Sequence, residues 1–219
     1  MSFKDHFSKH AADYAKFRPR YPQELFAYLG SIAPSRQLAW DCGTGNGQAA
    51  VGLASVFDRV IATDASETQI ANAQSHERMA FRVAHADNSG IASETIDLIM
   101  VAQALHWFDL DRFYAEARRV LKNNGVCAAS AYNLLHVEPA IDEVVNRYYY
   151  EVVGPSGRPS ASLLNNLPIS CSHFAGSCAE VRNDSAMESR SSDRLSSNMV
   201  FDKAVHRCAR QRSLGTGNR

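Results

Sequence analysis

No stretch of 18 or more apolar residues occurs in the 219-residue sequence, so it offers no membrane-spanning helix. The N-terminus, MSFKDHFSKHAADYAKF, also has no uninterrupted apolar segment of signal-peptide length. Both absences lead us to expect a soluble, cytoplasmic protein with no membrane partner. Net charge is missing as well: 23 Lys and Arg balance 23 Asp and Glu. Nothing therefore drives the chain toward nucleic acid, and its one basic cluster, RCARQR near the C-terminus, reads as a solvated end. A small molecule is the expected partner. Cysteines number five, an odd count, and none forms a CxxC pair, which excludes a disulfide framework or a zinc ribbon and gives no metal site. Cys42 and Cys127 stand in apolar segments and read as small buried residues.

What is present is a regular alternation of strand-like and helix-like segments from Pro22 to Val153. QELFAYLGSIA sets Leu25, Phe26, Leu29 and Ile32 at helical spacing, with Pro22 suited to the first turn. QLAWDC reads as a buried strand, and residues 48–56 as a helix against a sheet. RVIATD is a second strand, followed by SETQIANAQS with Ser66 as its cap. MAFRVAHAD is a third, and TIDLIMVAQAL, the most apolar, a fourth and central one. DLDRFYAEARRVLKNNG reads as a helix with Phe113, Ala117, Val120 and Leu121 on one face and Gly125 just past its end. GVCAASAY is a fifth strand.

Such an alternation requires crossover connections. It predicts a doubly wound α/β domain with a mostly parallel sheet over residues 1–153. After residue 153 the composition turns to Ser, Asn and Arg without strand or helix periodicity, so residues 154–219 are expected to form a poorly ordered tail.

Ligands of such sheets bind beyond the C-terminal strand ends. There the sequence reads WDCGTGNGQ, with glycines at 43, 45 and 47. Three glycines at alternate positions suit a loop whose backbone comes close to a nucleoside-containing cofactor. Asp64 closes the next strand about 20 residues on, where an acid accepts from ribose hydroxyls. The dinucleotide pattern G-x-G-x-x-G is not met, because Gly47 comes one residue early and Gln48 takes the position it would need. Asp41 would also repel a pyrophosphate, whereas it would favour a cofactor carrying an ammonium and a sulfonium. S-adenosylmethionine is expected, and a nicotinamide oxidoreductase is disfavoured.

Six segments in order carry a resemblance to a known family: FRPRYP (17–22), WDCGTGNGQ (40–48), IATDAS (61–66), AHADNSGI (84–91), VAQALHWF (101–108) and RVLKNNG (119–125). Together they resemble the class I S-adenosylmethionine-dependent methyltransferases, of the type 11 branch that includes trans-aconitate and quinone-biosynthesis methyltransferase-like proteins. The resemblance covers residues 3–153. It implies a Rossmann-like fold in which Gly43, Gly45 and Gly47 line the methionine and ribose side of the cofactor, and Asp41 organises the loop. It also implies that Asp64 holds the ribose hydroxyls, that Asp87 and Asn88 meet the adenine, and that Gln103 borders the methionine moiety. Asp87 and Asn88 also fit a plain Asx-type turn before Gly90.

Methyl transfer from a sulfonium demands alignment more than acid–base help. His106, after the fourth strand, is the candidate base for a hydroxyl or acidic-carbon acceptor; it also fits a helix cap or a packing role. Trp107 reads as an acceptor wall or as a buried aromatic. Tyr14, Arg18, Arg20 and Tyr21 offer two cations and two phenols to an anionic or carboxylate acceptor; the alternative is that the arginines are solvated and the tyrosines pack.

The family's sheet continues past the fifth strand with two antiparallel edge strands, and here the Ser-rich tail stands in their place. The expectation is a sheet with the usual C-terminal edge strands missing. Two functions follow: methyl transfer to a small-molecule acceptor, possibly with a carboxylate, or a cofactor-binding domain without turnover because of that atypical C-terminus.

Overall fold

The computed structural model describes residues 21–73, 76–130, 138–153, 179–182 and 204–209. The chain runs through α1 (Gln23–Ile32), β1 (Leu38–Cys42), α2 (Gln48–Ala54), β2 (Arg59–Asp64), α3 (Glu67–Ala71), β3 (Met79–Val83) and β4 (Ile96–Ala102). A single 3-10 turn, Leu105–Trp107, leads to α4 (Leu110–Val120) and directly to β5 (Leu121–Ser130). α5 (Pro139–Arg147), a π-helical turn at Tyr148–Val153, β6 (Ala179–Arg182) and β7 (Ala204–Ala209) follow.

The sheet order is β3-β2-β1-β4-β5-β7-β6, with the first five strands parallel. This is the doubly wound, mostly parallel sheet that the alternation predicts. β7 runs antiparallel to β5, and β6 antiparallel to β7. The edge of β5 is therefore covered, which corrects the expectation that the tail adds no strand. Neither AEVR nor AVHRCA has the apolar run of a central strand; strands at a sheet edge need only backbone pairing on one or two sides.

Alternating residues of each inner strand enter opposite layers. Trp40, Ile99, Val101 and Cys127 join Phe113, Ala117 and Val120 of α4 in one layer. Ala39, Leu98, Met100, Val126 and Ala128 join Leu25, Phe26 and Leu29 of α1 and Leu53 of α2 in the other. Leu29, Leu53, Leu98 and Ile99 are fully buried; side chains of this size contribute about 1.5–3 kcal/mol each. β4 is buried over its first six residues, as a central strand must be. β3, at the sheet edge, is mostly exposed.

Some boundaries differ from the sequence pattern. Pro22 stands in the cap position rather than inside the helix, with its carbonyl accepting from Leu25. The helix expected to run toward Gly125 ends at Val120, because Leu121 already pairs with Ile96 and is fully buried. The ladder is irregular between Ile96 and Leu98, and there Asn124 takes a φ of 60°. This excursion carries Lys122, whose Nζ lies 2.9 Å from Oδ1 of the buried Asp97. Asp97 also accepts from the Ser35 hydroxyl and from the backbone N–H groups of Gln37 and Leu38. The cluster pins the N-terminal ends of β1 and β4, opposite the end where a ligand would sit.

Candidate functional site

Strand order reverses between β1 and β4: β2 and β3 lie on one side of β1, β4 and β5 on the other. A parallel sheet opens a crevice beyond the C-terminal ends of the strands at that point. The glycine loop after β1 and residues 103–108 after β4 both stand there.

The loop is built on the end of β2. Both Gly43 N–H and Thr44 N–H donate to the Thr63 carbonyl at 2.9 Å, and Gly47 N–H donates to the Thr44 carbonyl. The Thr44 hydroxyl donates to Asp41 Oδ2 at 2.6 Å, and Asp41 is fully buried. That bond ties the loop to the end of β1. Asp64 accepts from Gly45 N–H through Oδ2 and from Ser66 N–H through Oδ1.

All three glycines have positive φ: 74° at Gly43, 57° at Gly45 and 93° at Gly47. Their surroundings differ in a way the alternate spacing does not reveal. A Cβ on Gly43 would come within 2.5 Å of Ala104 Cβ, and one on Gly47 within 2.9 Å of the Phe81 ring. These two positions are small because neighbouring elements of the protein press on them. At Gly45 the nearest atom would be Gln69 Oε1 at 3.8 Å, an ordinary van der Waals contact, so of the three this glycine alone is not crowded by its neighbours.

Gln103 leaves β4 with φ 58°, a left-handed conformation uncommon outside glycine, asparagine and aspartate, and its N–H donates to the Ser130 carbonyl. Three buried polar atoms around the crevice have no hydrogen-bond partner among the described residues: Gln48 Oε1, Gln103 Nε2 and His106 Nδ1. Buried polar groups are rarely left so. One acceptor, one donor and one imidazole nitrogen beside a glycine loop fit a ligand that carries both an ammonium and a carboxylate, as the methionine part of S-adenosylmethionine does.

Burial pushes the His106 imidazole below its ordinary pKa, so it is neutral at pH 7. It does not cap α4; Asp109 does, accepting from Arg112 N–H. Trp107 is 47% exposed, with its ring 4.8 Å from that of His106, so it is a surface aromatic rather than a buried one. Asp87 and Asn88 form a turn after β3 in which Asn88 N–H donates to the His85 carbonyl. Asp87 Oδ2 also meets Arg112 Nε at 3.0 Å. Tyr21 packs edge-on against Phe26 of α1. Tyr14, Arg18 and Arg20 lie outside the described residues.

Sequence reasoning missed Glu116. It is buried, and its carboxylate accepts from the Ser89 hydroxyl and N–H and from Arg119 Nε and Nη2. Burial alone would raise its pKa; the bonds from Arg119 and Ser89, with the Arg119 charge, outweigh that and lower it to about 2. The signal was an acid at position 116 inside the apolar stripe of Phe113, Ala117 and Val120.

The methyltransferase domain family matches residues 40–129. A Dictyostelium discoideum protein named as a methyltransferase is 39% identical over 155 residues, 69% of this chain and 59% of that protein. A Saccharomyces cerevisiae protein named as an S-adenosylmethionine-dependent methyltransferase is 29% identical over 151 residues, 64% of this chain and 50% of that one. The chain thus spans only half to three-fifths of the length of these curated relatives. A solved structure described as a type II methyltransferase, from Anaeromyxobacter dehalogenans, is 34% identical with a TM-score of 0.64, covering 88% of this chain and 94% of its own. With this likeness along nearly the whole of a solved methyltransferase, and a glycine loop at the switch point of its sheet, the chain belongs to the class I S-adenosylmethionine-dependent methyltransferase family.

Proposed function

We propose that the chain holds S-adenosylmethionine in the crevice between the ends of β1 and β4 and transfers its methyl group to a small-molecule carboxylate. The observation that carries this reading is the Asp64 carboxylate, fixed by two backbone donors beside the one glycine of the loop that its neighbours do not crowd. Each of its oxygens uses one lone pair on the backbone and keeps another for a ribose hydroxyl. Asp87 and Asn88 would meet the adenine. Gln103 Nε2 would donate to the amino-acid carboxylate, with Gln48 Oε1 and the buried Asp41 supplying acceptor and negative charge on the ammonium side.

The sulfonium supplies a methyl group already activated for displacement, so the protein's part is alignment and exclusion of water. The half-exposed Trp107 would wall the acceptor side. Arg18, Arg20, Tyr14 and Tyr21 supply the charge and hydroxyls that suit a carboxylate. Tyr21 packs on α1, and α1 packs on α2 so closely that a Cβ on Gly52 would meet the Phe26 ring at 2.0 Å. This places Tyr21 close to the helix that follows the glycine loop. A carboxylate acceptor arrives ionised and needs no base; His106 would act as one only toward a hydroxyl.

Titration with S-adenosylhomocysteine, followed by assay of its formation from S-adenosylmethionine with di- and tricarboxylic acids, tests both halves. Binding weakened at least tenfold by Asp64→Ala, about 1.4 kcal/mol, supports the site. Binding without turnover on any carboxylate would leave a cofactor-binding domain and overturn the acceptor assignment.

A further inference from the structure

Three residues of α4 spaced by four and then three positions, Arg112, Glu116 and Arg119, lie on one stripe of the helix. They meet the segment between β3 and β4 at alternate positions. Arg112 pairs with Asp87, Glu116 takes both donors of Ser89, and Arg119 Nη2 donates to the Ile91 carbonyl at 2.7 Å. Arg119 Nη1 reaches one step further, to the Ser93 hydroxyl.

The three ties are unequal. Arg112 is 70% exposed on its side chain, so solvent screens its ion pair and it is the weakest of the three. Glu116 and Ser89 are buried, and every donor of the pair is used: the Ser89 hydroxyl donates to Glu116 while accepting from Ile91 N–H. The hub is therefore Glu116, which holds Ser89, two residues along the segment from Asp87.

We infer that Glu116, braced by Arg119 and closed on Ser89, is a positioning residue that fixes the turn carrying Asp87 and Asn88 in the conformation that receives the adenosine half of the cofactor. This rests on the cofactor site proposed above. The stripe acts on affinity for the cofactor and leaves the methyl-transfer step itself alone, since Glu116 contacts neither the glycine loop nor residues 103–108 through any bond described above.

The test compares Glu116→Gln, Ser89→Ala and Arg119→Lys with Ser35→Ala, which loosens the Asp97 cluster at the far end of the sheet. Thermal unfolding and the Kd for S-adenosylhomocysteine are measured for each. Glu116→Gln is expected to raise Kd about tenfold, the loss of one charge-assisted network. Ser89→Ala, which keeps the backbone and serves if Glu116→Gln does not fold, is expected to raise it severalfold. Arg119→Lys, which keeps a charge, is expected to fall between wild type and Glu116→Gln. Ser35→Ala is expected to lower the unfolding temperature with Kd unchanged. Should Glu116→Gln and Ser89→Ala lose stability as Ser35→Ala does while binding as wild type, the hub is a structural clamp only and the inference fails. Should the folded wild type not bind S-adenosylhomocysteine, it is the cofactor reading that fails.

Discussion

Gly45 N–H donates to Asp64 Oδ2 at 2.8 Å, which locks the uncrowded glycine of the loop to the end of β2. The same carboxylate accepts from Ser66 N–H at 2.9 Å, so both of its oxygens serve as acceptors. Asparagine cannot substitute, because its amide would turn one donor toward a backbone N–H. Asp64→Asn is expected to weaken S-adenosylhomocysteine by tenfold or more, close to the effect of Asp64→Ala. Titration calorimetry on both variants checks this, and recovery of wild-type affinity in Asp64→Asn would exclude the carboxylate as the ribose acceptor.

The three glycines should separate when each is changed to alanine. At Gly45, φ of 57° costs about 1–2 kcal/mol, and no protein atom lies closer than 3.8 Å to the new Cβ. At Gly43 the same backbone cost is joined by a clash with Ala104 Cβ at 2.5 Å, an overpacking term of about 1–3 kcal/mol. Gly43→Ala is therefore expected to lower the unfolding temperature further than Gly45→Ala does. Gly45→Ala is expected to lose more cofactor affinity for each degree of stability lost, because its methyl group enters the space left for the ligand. Melting curves with and without S-adenosylhomocysteine measure both effects.

Much of this architecture was written in local patterns. β4 announces itself by six apolar or small residues around one acid, and the alternation of segments carries the parallel sheet. Ser66 was legible as a cap because its side-chain role is local; it accepts from Gln69 N–H three residues on. The end of α4 was not legible, since nothing in RRVLKNNG says that Leu121 must pair with Ile96 while Lys122 reaches Asp97. The division of labour among the glycines was equally hidden: it depends on Phe81 and Ala104, which are distant in sequence and close only after folding. β7 and β6 escaped notice because a strand at the edge needs little apolar periodicity, and the sequence marks only that.

Stability should carry the signature of Glu116. Its carboxyl is lowered to about 2 from an ordinary 4.5, so the folded state binds its proton less readily than the unfolded state does. The sign follows: the contribution is complete above pH 4.5 and is lost as pH falls toward 2. Glu116→Gln is expected to unfold about 5–10 °C below wild type at neutral pH, the scale of removing one member of a buried charged network. The gap should narrow below pH 4.5 in melts followed by circular dichroism. A gap independent of pH over that range would mean that the ionised carboxylate is not what holds Ser89.

His106 offers the sharpest distinction between acceptor classes. Its Nδ1 is buried without a partner among the described residues, and burial lowers its pKa, so the ring is neutral through the physiological range and gains charge only at more acidic pH. Were the acceptor a hydroxyl, His106→Gln would remove a base worth about 10²–10⁴ in rate, and the wild-type profile would fall in acid below the ordinary histidine range. A carboxylate acceptor is already ionised down to pH about 4–5. For the proposed carboxylate acceptor, kcat of His106→Gln is expected to stay within about tenfold of wild type, the loss of one contact of about 1.4 kcal/mol. The wild-type profile should stay level through the histidine range and decline only as the acceptor itself takes a proton. The pH dependence of kcat/KM for both proteins, measured on one carboxylate substrate, decides it: a loss of 10² or more in the variant, with an acid limb that vanishes along with the imidazole, would assign the proton to His106 and the acceptor to a hydroxyl.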